Sequence, residues 1–406
     1  MALIVHKYGG TSVADAEKIK NVARRVARAK DEGNQVVVVV SAMGNTTDEL
    51  LGLAYRVNEW PGERELDVLL STGEVVSSTL LALALEGLDY KAVSLTGAQA
   101  GIQTDSGYSR ARILRVDAKR VVNELGKGNI VIVAGFQGVT PEMDVTTLGR
   151  GGSDTTAVAL AASLNAVECQ IYTDVEGIYT ADPNLVPTAR KLQEIGYEEM
   201  LELSSYGARV IHSRAVELGQ LYDVPILVAS SFGESQGTTI CKEVSMEVKN
   251  KVTGIAHDTN VSKVTVVSVP DHPGIAAAIF EPLARANISV DTIVQNASIN
   301  NITDLTFTVA RSDLIKAMSI AEPVVKSVGG KQCVADSTLA KVSIIGTGMQ
   351  NTPGYAARMF RTLHERRINI QLITTSEIRI TCIISEARVK AAVQALHQAF
   401  VLEQGT

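Results

Sequence analysis

Val36 to Val40 is a run of five valines. An unbroken apolar stretch of that length predicts a strand buried on both faces. Leu3-Ile4-Val5 and Ile130-Val131-Ile132-Val133-Ala134 have the same character, and Gln170 to Thr173 and Pro225 to Val228 predict two more strands. Between these runs the period lengthens. Ile19, Val22, Ala23 and Val26 recur at helical spacing, and Val75 to Leu85 and Thr155 to Leu164 predict further helices. The alternation points to an α/β domain with a mainly parallel central sheet and helices on both faces. In such sheets ligands sit beyond the carboxyl ends of the strands. Lys7, Ser41, Gly135-Phe136 and Asp174 occupy those positions.

Over 241–260 the pattern weakens and mixed charges accumulate, so the first domain is placed at 1–245. Beyond it the chain repeats itself. Pro273-Gly274-Ile275-Ala276-Ala277 matches Pro353-Gly354-Tyr355-Ala356-Ala357 at an offset of 80, and Phe280, Leu283, Ile288 and Ile293 match Phe360, Leu363, Ile368 and Ile373. The first copy reads βαββαβ. The second lacks its last strand, which would leave an open sheet edge. Val252 to His257 is the one unassigned strand candidate nearby. The expected division is one module at 262–338, inserted in another made of 246–261 plus 339–406.

Two glycine segments carry the candidate chemistry. Lys7-Tyr8-Gly9-Gly10-Thr11-Ser12 follows the first strand, and Ser12 with Asp15 resembles a helix-start signal. Gly149-Arg150-Gly151-Gly152-Ser153-Asp154 precedes the Thr155 helix, with Ser153 or Asp154 as its expected cap. Bare backbone at a helix start attracts anions, a lysine adds a full charge, and an arginine fork suits a carboxylate. Taken singly, each segment also fits an ordinary turn with a surface cation. Neither has P-loop spacing, and Gly346 to Asn351 lacks the third glycine of a dinucleotide fingerprint.

At 406 residues two or three domains are expected, from a prior of roughly 150 residues each. The net charge of −6 and 4% aromatic content argue against nucleic acid as a partner. No apolar run approaches a membrane span, and no basic-then-apolar leader is evident, so no membrane partner is expected. Cys169, Cys241, Cys333 and Cys382 lack metal-ligand spacing and read as reduced thiols of a cytoplasmic protein.

Taken together, Lys7 to Ser12, Val40-Ser41-Ala42-Met43, Ser71-Thr72-Gly73-Glu74, Gly149 to Asp154 and Thr173 to Asp182 resemble the aspartate kinases of the amino-acid kinase family. The C-terminal repeat is similar to that family's tandem ACT domains, ferredoxin-like βαββαβ modules of which one is inserted in the other. The resemblance implies phosphorylation of the side-chain carboxylate of L-aspartate by ATP, opening the route to lysine, threonine and methionine. No protein metal site is implied, and Mg²⁺ arrives on ATP. It assigns Lys7, Arg150 and Asp154 to catalysis. Ser41, Thr47, Glu74, Arg150, Gly151, Gly152 and Ser153 would hold aspartate. Lys7, Tyr8, Gly9, Gly10, Thr173, Asp174, Tyr179, Asp182, Pro183 and Arg209 would hold ATP.

Lysine and/or threonine are the implied effectors, at Asp271, Gly274, Ala276, Asp291, Gln295 and Asn296 of the first module and Asn369 and Ile370 of the second. A homodimer or higher oligomer through the ACT modules is implied, and some family members add a separately made regulatory chain, here starting near Met246. Two departures stand out. Arg209 replaces a frequent lysine, and Ser213 a frequent proline. Two rivals stay open: a kinase of another small carboxylate, such as glutamate or acetylglutamate, and a catalytically silent amino-acid sensor. The Glu74 segment favours aspartate, and intact Lys7, Arg150 and Asp154 argue against the sensor.

Overall fold

A computed structural model describes residues 1–406 apart from Arg209, Glu234, 243–251, Ile299, Asn351 and 405–406. Arg209 and Met246 therefore lie outside the described residues. The chain forms two compact units. One comprises Met1–Tyr179, Lys191–Ser205 and Arg209–Glu247, and the other Thr180–Arg190, Tyr206–Ala208 and Val248–Thr406.

The first unit is built on an eight-stranded sheet. Its order is Glu194–Gly196, Thr238–Cys241, Ile226–Ser230, Glu168–Thr173, Leu3–Tyr8, Gln35–Val40, Ile130–Ala134 and Ala92–Leu95. All neighbours are parallel except Ile226–Ser230 with Thr238–Cys241. The valine run is buried on both faces, as its unbroken apolarity requires. Val36, Val38 and Val40 share one core with Ile19, Val22, Val26, Leu81 and Leu85. Val37 and Val39 point to the opposite face and are equally buried. The helix Gly152–Ser163 packs against the three central strands.

Two features of this unit depart from the sequence expectation. Four short strands, Ile113–Val116, Ile102–Thr104, Gln137–Val139 and Val145–Thr147, make a second sheet that periodicity does not reveal, because three- and four-residue strands carry little pattern. The helix expected at Val75 to Leu85 runs over Glu63–Glu86. At 24 residues it is long and apolar enough to cross a membrane by length and composition, against the expectation that no run approaches a span. It packs on neighbouring strands and on helix Ala16–Asp31, and it buries Asp67 and Glu74. Those contacts make it a core helix of this unit.

The second unit holds two four-stranded sheets of one pattern. The first has the order Val290–Gln295, Ile302–Val309, Ser262–Pro270, Gln332–Asp336, and the second Ile370–Thr375, Arg379–Ser385, Leu339–Ile345, Gly254–Asp258. Gly254–Asp258 pairs antiparallel with Leu339–Ile345, in the place that Gln332–Asp336 fills in the first sheet. The helices Ile275–Arg285 and Tyr355–Glu365 start behind Gly274 and Gly354, whose φ values of 99° and 106° lie in the left-handed region.

Residues 180–190 depart from the expected boundary because their apolar side chains bury elsewhere. Ala181 and Val186 join the core of the second sheet with Leu363, Val393 and Phe400. The Ile255 amide donates to the Thr180 carbonyl, and Thr180 Oγ1 lies 2.9 Å from the buried His397 Nε2. Thr180→Val keeps the shape but strands that imidazole nitrogen. It should lower stability by about 1–3 kcal/mol, seen as a lower urea midpoint at unchanged m. An unchanged midpoint would show that this buried contact contributes nothing.

Candidate active site

The carboxyl ends of the central strands are stitched together by backbone bonds. Gly9 N donates to Tyr172 O, Ser41 N to Tyr8 O, Gly135 N to Val40 O and Ser231 N to Thr173 O. Lys7, Ser41, Gly135 and Thr173 are thereby gathered along one edge. Gly10 is held against the neighbouring turn, where a Cβ would lie 2.8 Å from the Ala42 carbonyl. The local start differs from expectation. Gly10–Val13 is a short 3₁₀ turn, and the helix opens at Ala16 with Asp15 as its cap, accepting from Lys18 N. Ser12 instead donates to Ser231 Oγ at 2.8 Å.

The second glycine segment meets the first through one ion pair. Lys7 Nζ lies 2.6 Å from Asp154 Oδ1, with both side chains nearly buried. Neither Ser153 nor Asp154 caps the helix. Gly151 takes that position at φ 68°, and the helix begins at Gly152. A Cβ on Gly151 would fall 2.2 Å from the His212 side chain, so the loop fits only without one. His212 N also donates to Asp154 Oδ2 at 3.4 Å. Arg150 is exposed.

Glu74 is 3% exposed. Its Oε1 accepts the Ala42 amide at 3.1 Å, while Oε2 is buried without a partner. Burial pushes its carboxyl up to about 8, and the Ala42 amide opposes that only in part. A cation brought beside it would lower that value and favour the carboxylate. Ser41 O accepts Ser77 Oγ at 2.7 Å, which ties the same helix to the strand end. Thr47 lies half-buried in the first turn of Thr46–Val57.

The predicted nucleotide residues divide between the units. Thr173 ends the Glu168–Thr173 strand and exposed Asp174 follows it, with Thr173 Oγ1 donating to Asp174 Oδ1 at 3.1 Å. Tyr179 bridges to Lys191 in the same unit, and burial raises its phenol. Asp182 and Pro183 fall in the other unit, where Asp182 Oδ1 accepts the Asn184 amide of a turn. In the first sheet of the second unit Gln295 Nε2 reaches Asp271 Oδ1 at 3.3 Å, beside Gly274 and exposed Ala276. Asn296 is fixed through its backbone, accepting Thr303 Oγ1 at 2.8 Å. Asp291 stands at the far end of its strand and pairs with Lys341 of the second module. Asn369 and Ile370 open the matching strand there.

Residues 2–230 match the model of the amino acid kinase family, and 264–322 and 342–400 that of the ACT domain. The aspartokinase of Pseudomonas aeruginosa is 50% identical over 406 residues, covering 99% of this chain and 98% of that one. The chain belongs to the aspartokinases. Aspartokinase III of Escherichia coli, solved with aspartate and ADP, is 25% identical with a TM-score of 0.82, covering 98% of this chain and 99% of that one. The same enzyme solved with lysine and aspartate gives a TM-score of 0.74 at 25% identity and the same coverage. The aspartokinase fold is thus present over the whole chain, a kinase unit followed by two ACT modules.

Sequence reasoning passed over Asp67 and Arg214. Asp67 is fully buried and accepts from the backbone amides and hydroxyls of Ser109 and Thr147. Its signal was readable as a carboxylate one residue from Leu66, seven before Glu74, on a helix face that is otherwise largely apolar or small.

The raised Glu74 carboxyl has a consequence for stability. The unfolded chain releases this proton near 4.5 and the folded chain near 8, so stability falls as pH rises between those values. Glu74→Gln should flatten that fall by an amount on the order of a few kcal/mol. Urea midpoints across the range check this, and parallel curves for the two proteins would count against it.

Proposed function

We propose that the chain transfers the γ-phosphoryl group of ATP to the side-chain carboxylate of L-aspartate, giving 4-phospho-L-aspartate and ADP. The Lys7–Asp154 ion pair at the strand ends carries the reading, together with the Glu74 oxygen that has no partner among the described residues. The E. coli relative solved with aspartate and ADP supports it. The acceptor carboxylate is already ionised at neutral pH, so no general base is needed. Its oxygen forms the new bond to phosphorus as the bond to the β-phosphate bridging oxygen breaks, and the electron pair leaves with ADP. Lys7 neutralises charge on the transferring group, held in place by Asp154. Arg150 takes the α-carboxylate, and Glu74 receives the α-ammonium at its free oxygen, with Ser41, Thr47 and Gly151 to Ser153 around the substrate. Thr173, Asp174 and Tyr179 line the nucleotide site, and Asp182, Pro183 and Arg209 are its further candidates. Mg²⁺ would be carried on the phosphates, where it spreads their charge.

The ACT modules supply feedback control by lysine and/or threonine. The Asp271–Gln295 contact beside the helix start at Gly274 offers an amino acid a carboxylate, an amide and free backbone N–H groups. The strands Val290–Gln295 and Ile370–Thr375 are sheet edges that expose Ile293 and Ile373, which fits a homodimer or higher oligomer through this unit. A separate regulatory chain starting near Met246 belongs to the same proposal. The four free cysteines fit a reducing, cytoplasmic setting. The product opens the route to lysine, threonine and methionine.

Lys7→Ala should lower kcat by about two orders of magnitude or more. Arg150→Ala and Glu74→Gln should raise the KM for aspartate well above any change for ATP. Equal changes in both KM values, or near-normal turnover of folded Lys7→Ala, would sink the assignment. Calorimetry on the full chain with threonine, lysine and their mixture should show binding that Asp271→Ala removes. No heat in any of the three would leave the modules with assembly alone.

A further inference from the structure

The helix Glu63–Glu86 carries two buried carboxyl groups, Asp67 and Glu74. A spacing of seven residues is close to two turns, which places both on one side of the helix. Glu74 faces the proposed aspartate pocket, whereas Asp67 grips the backbone leading into it. Oδ1 accepts Ser109 N at 3.0 Å, Ser109 Oγ at 3.3 Å and Thr147 Oγ1 at 2.7 Å. Oδ2 accepts Ser109 N at 2.9 Å and Thr147 N at 2.8 Å. Thr147 ends the strand that runs directly into Leu148-Gly149-Arg150.

Arg214 holds the same backbone from a different helix, Ser213–Tyr222. Its Nη1 donates to Leu148 O at 2.7 Å and its Nη2 to Ala111 O at 3.0 Å. The two held segments are also bonded to each other, Ala111 N donating to Thr147 O at 2.9 Å. Residues 109–111 and 147–148 are thus pinned by a carboxylate from the Glu74 helix and a guanidinium from the helix that follows His212. His212 in turn packs where Gly151 has no side chain.

We propose that Asp67 and Arg214 are positioning residues that fix the Gly149–Asp154 loop relative to Glu74. Together they set where the α-carbon of the substrate is held. The inference rests on the aspartate reading above. Glu74 and Arg150 would grip the two charged groups on that α-carbon. The distance from there to Lys7 then decides which side-chain length brings a carboxylate to the phosphoryl group. A loosened brace lets the anchor drift, so it weakens aspartate binding and blurs the discrimination against a substrate one methylene longer. One methylene is worth roughly 10- to 200-fold in a well-shaped pocket. ATP is held elsewhere and should notice little.

Asp67→Asn is the direct test. Each carboxylate oxygen faces a backbone N–H, so either orientation of the amide sets its NH₂ against a donor. Arg214→Lys keeps the charge but replaces the two-nitrogen planar fork by a single, shorter-reaching ammonium nitrogen. Both variants should raise the KM for aspartate about tenfold or more, with the KM for ATP within about twofold. Both should narrow the aspartate-over-glutamate ratio of kcat/KM. Arg214→Met should be worse than Arg214→Lys. If Asp67→Asn does not fold, Thr147→Val removes a single bond to the same carboxylate and should show the smaller version of the same split. Unchanged aspartate KM and selectivity in the folded variants would overturn the proposal. So would a parallel rise in both KM values, the mark of general loosening. Glu74→Gln and Arg150→Ala are the reference. If they too leave the aspartate KM unchanged, the substrate reading falls and the brace with it. If they raise it and the brace variants do not, the brace alone is wrong.

Discussion

A buried lysine and a buried aspartate can be tolerated only together. Taking either Lys7 or Asp154 out of water alone would cost several kcal/mol, and their contact at 2.6 Å offsets that cost for both. Lys7 is fixed by the first strand and its neighbours, and Asp154 by the first turn of the helix on the sheet. The pair therefore dictates that the strand end and the glycine segment lie side by side. It also leaves the cation compensated but not saturated, because an ammonium has three donors. On the proposed reading, an incoming phosphate oxygen would share it without rebuilding the site.

Glu74 shows the opposite economy. Its carboxyl is buried with one oxygen accepting the Ala42 amide and the other without a partner among the described residues, and that burial raises its pKa to about 8. The same helix is tied to its surroundings at Asp67, Ser77 and Glu74. Glu74, with one oxygen unmet, thus sits on a helix whose other buried side-chain polar groups have partners. Under the proposed reading, that bare oxygen is where the substrate ammonium would be received.

Much of this was legible in the chain. The valine run, the alternation of periods and the offset of 80 between the two Pro-Gly turns led to the sheet and to the repeated modules. Lys7 and Asp154 were readable as candidates from their glycine neighbours, though their contact was not. What stayed hidden is physically coherent. The four short strands around Thr104 and Thr147 are too brief to show a period. Arg214 bonds backbone carbonyls, which leave no trace in a side-chain pattern, and Asp67, though visible as a carboxylate on an apolar helix face, has partners 42 and 80 residues away. The helix starts were misread because capping signals do not tell a 3₁₀ turn from a helix, or a left-handed glycine from a hydroxyl cap.

The burial of Ala181 and Val186 in the second unit has a bearing on synthesis. Their core partners extend from Val252 to Leu402. At a ribosomal pace of roughly 5–20 residues per second, the last of them emerges on the order of ten to forty seconds after Ala181 does. During that time the segment between Tyr179 and Lys191 interrupts the sequence of an otherwise foldable kinase unit with its apolar side chains uncovered. The nascent chain thus carries a sticky patch in its middle, and a truncated product ending before the modules would keep that patch permanently.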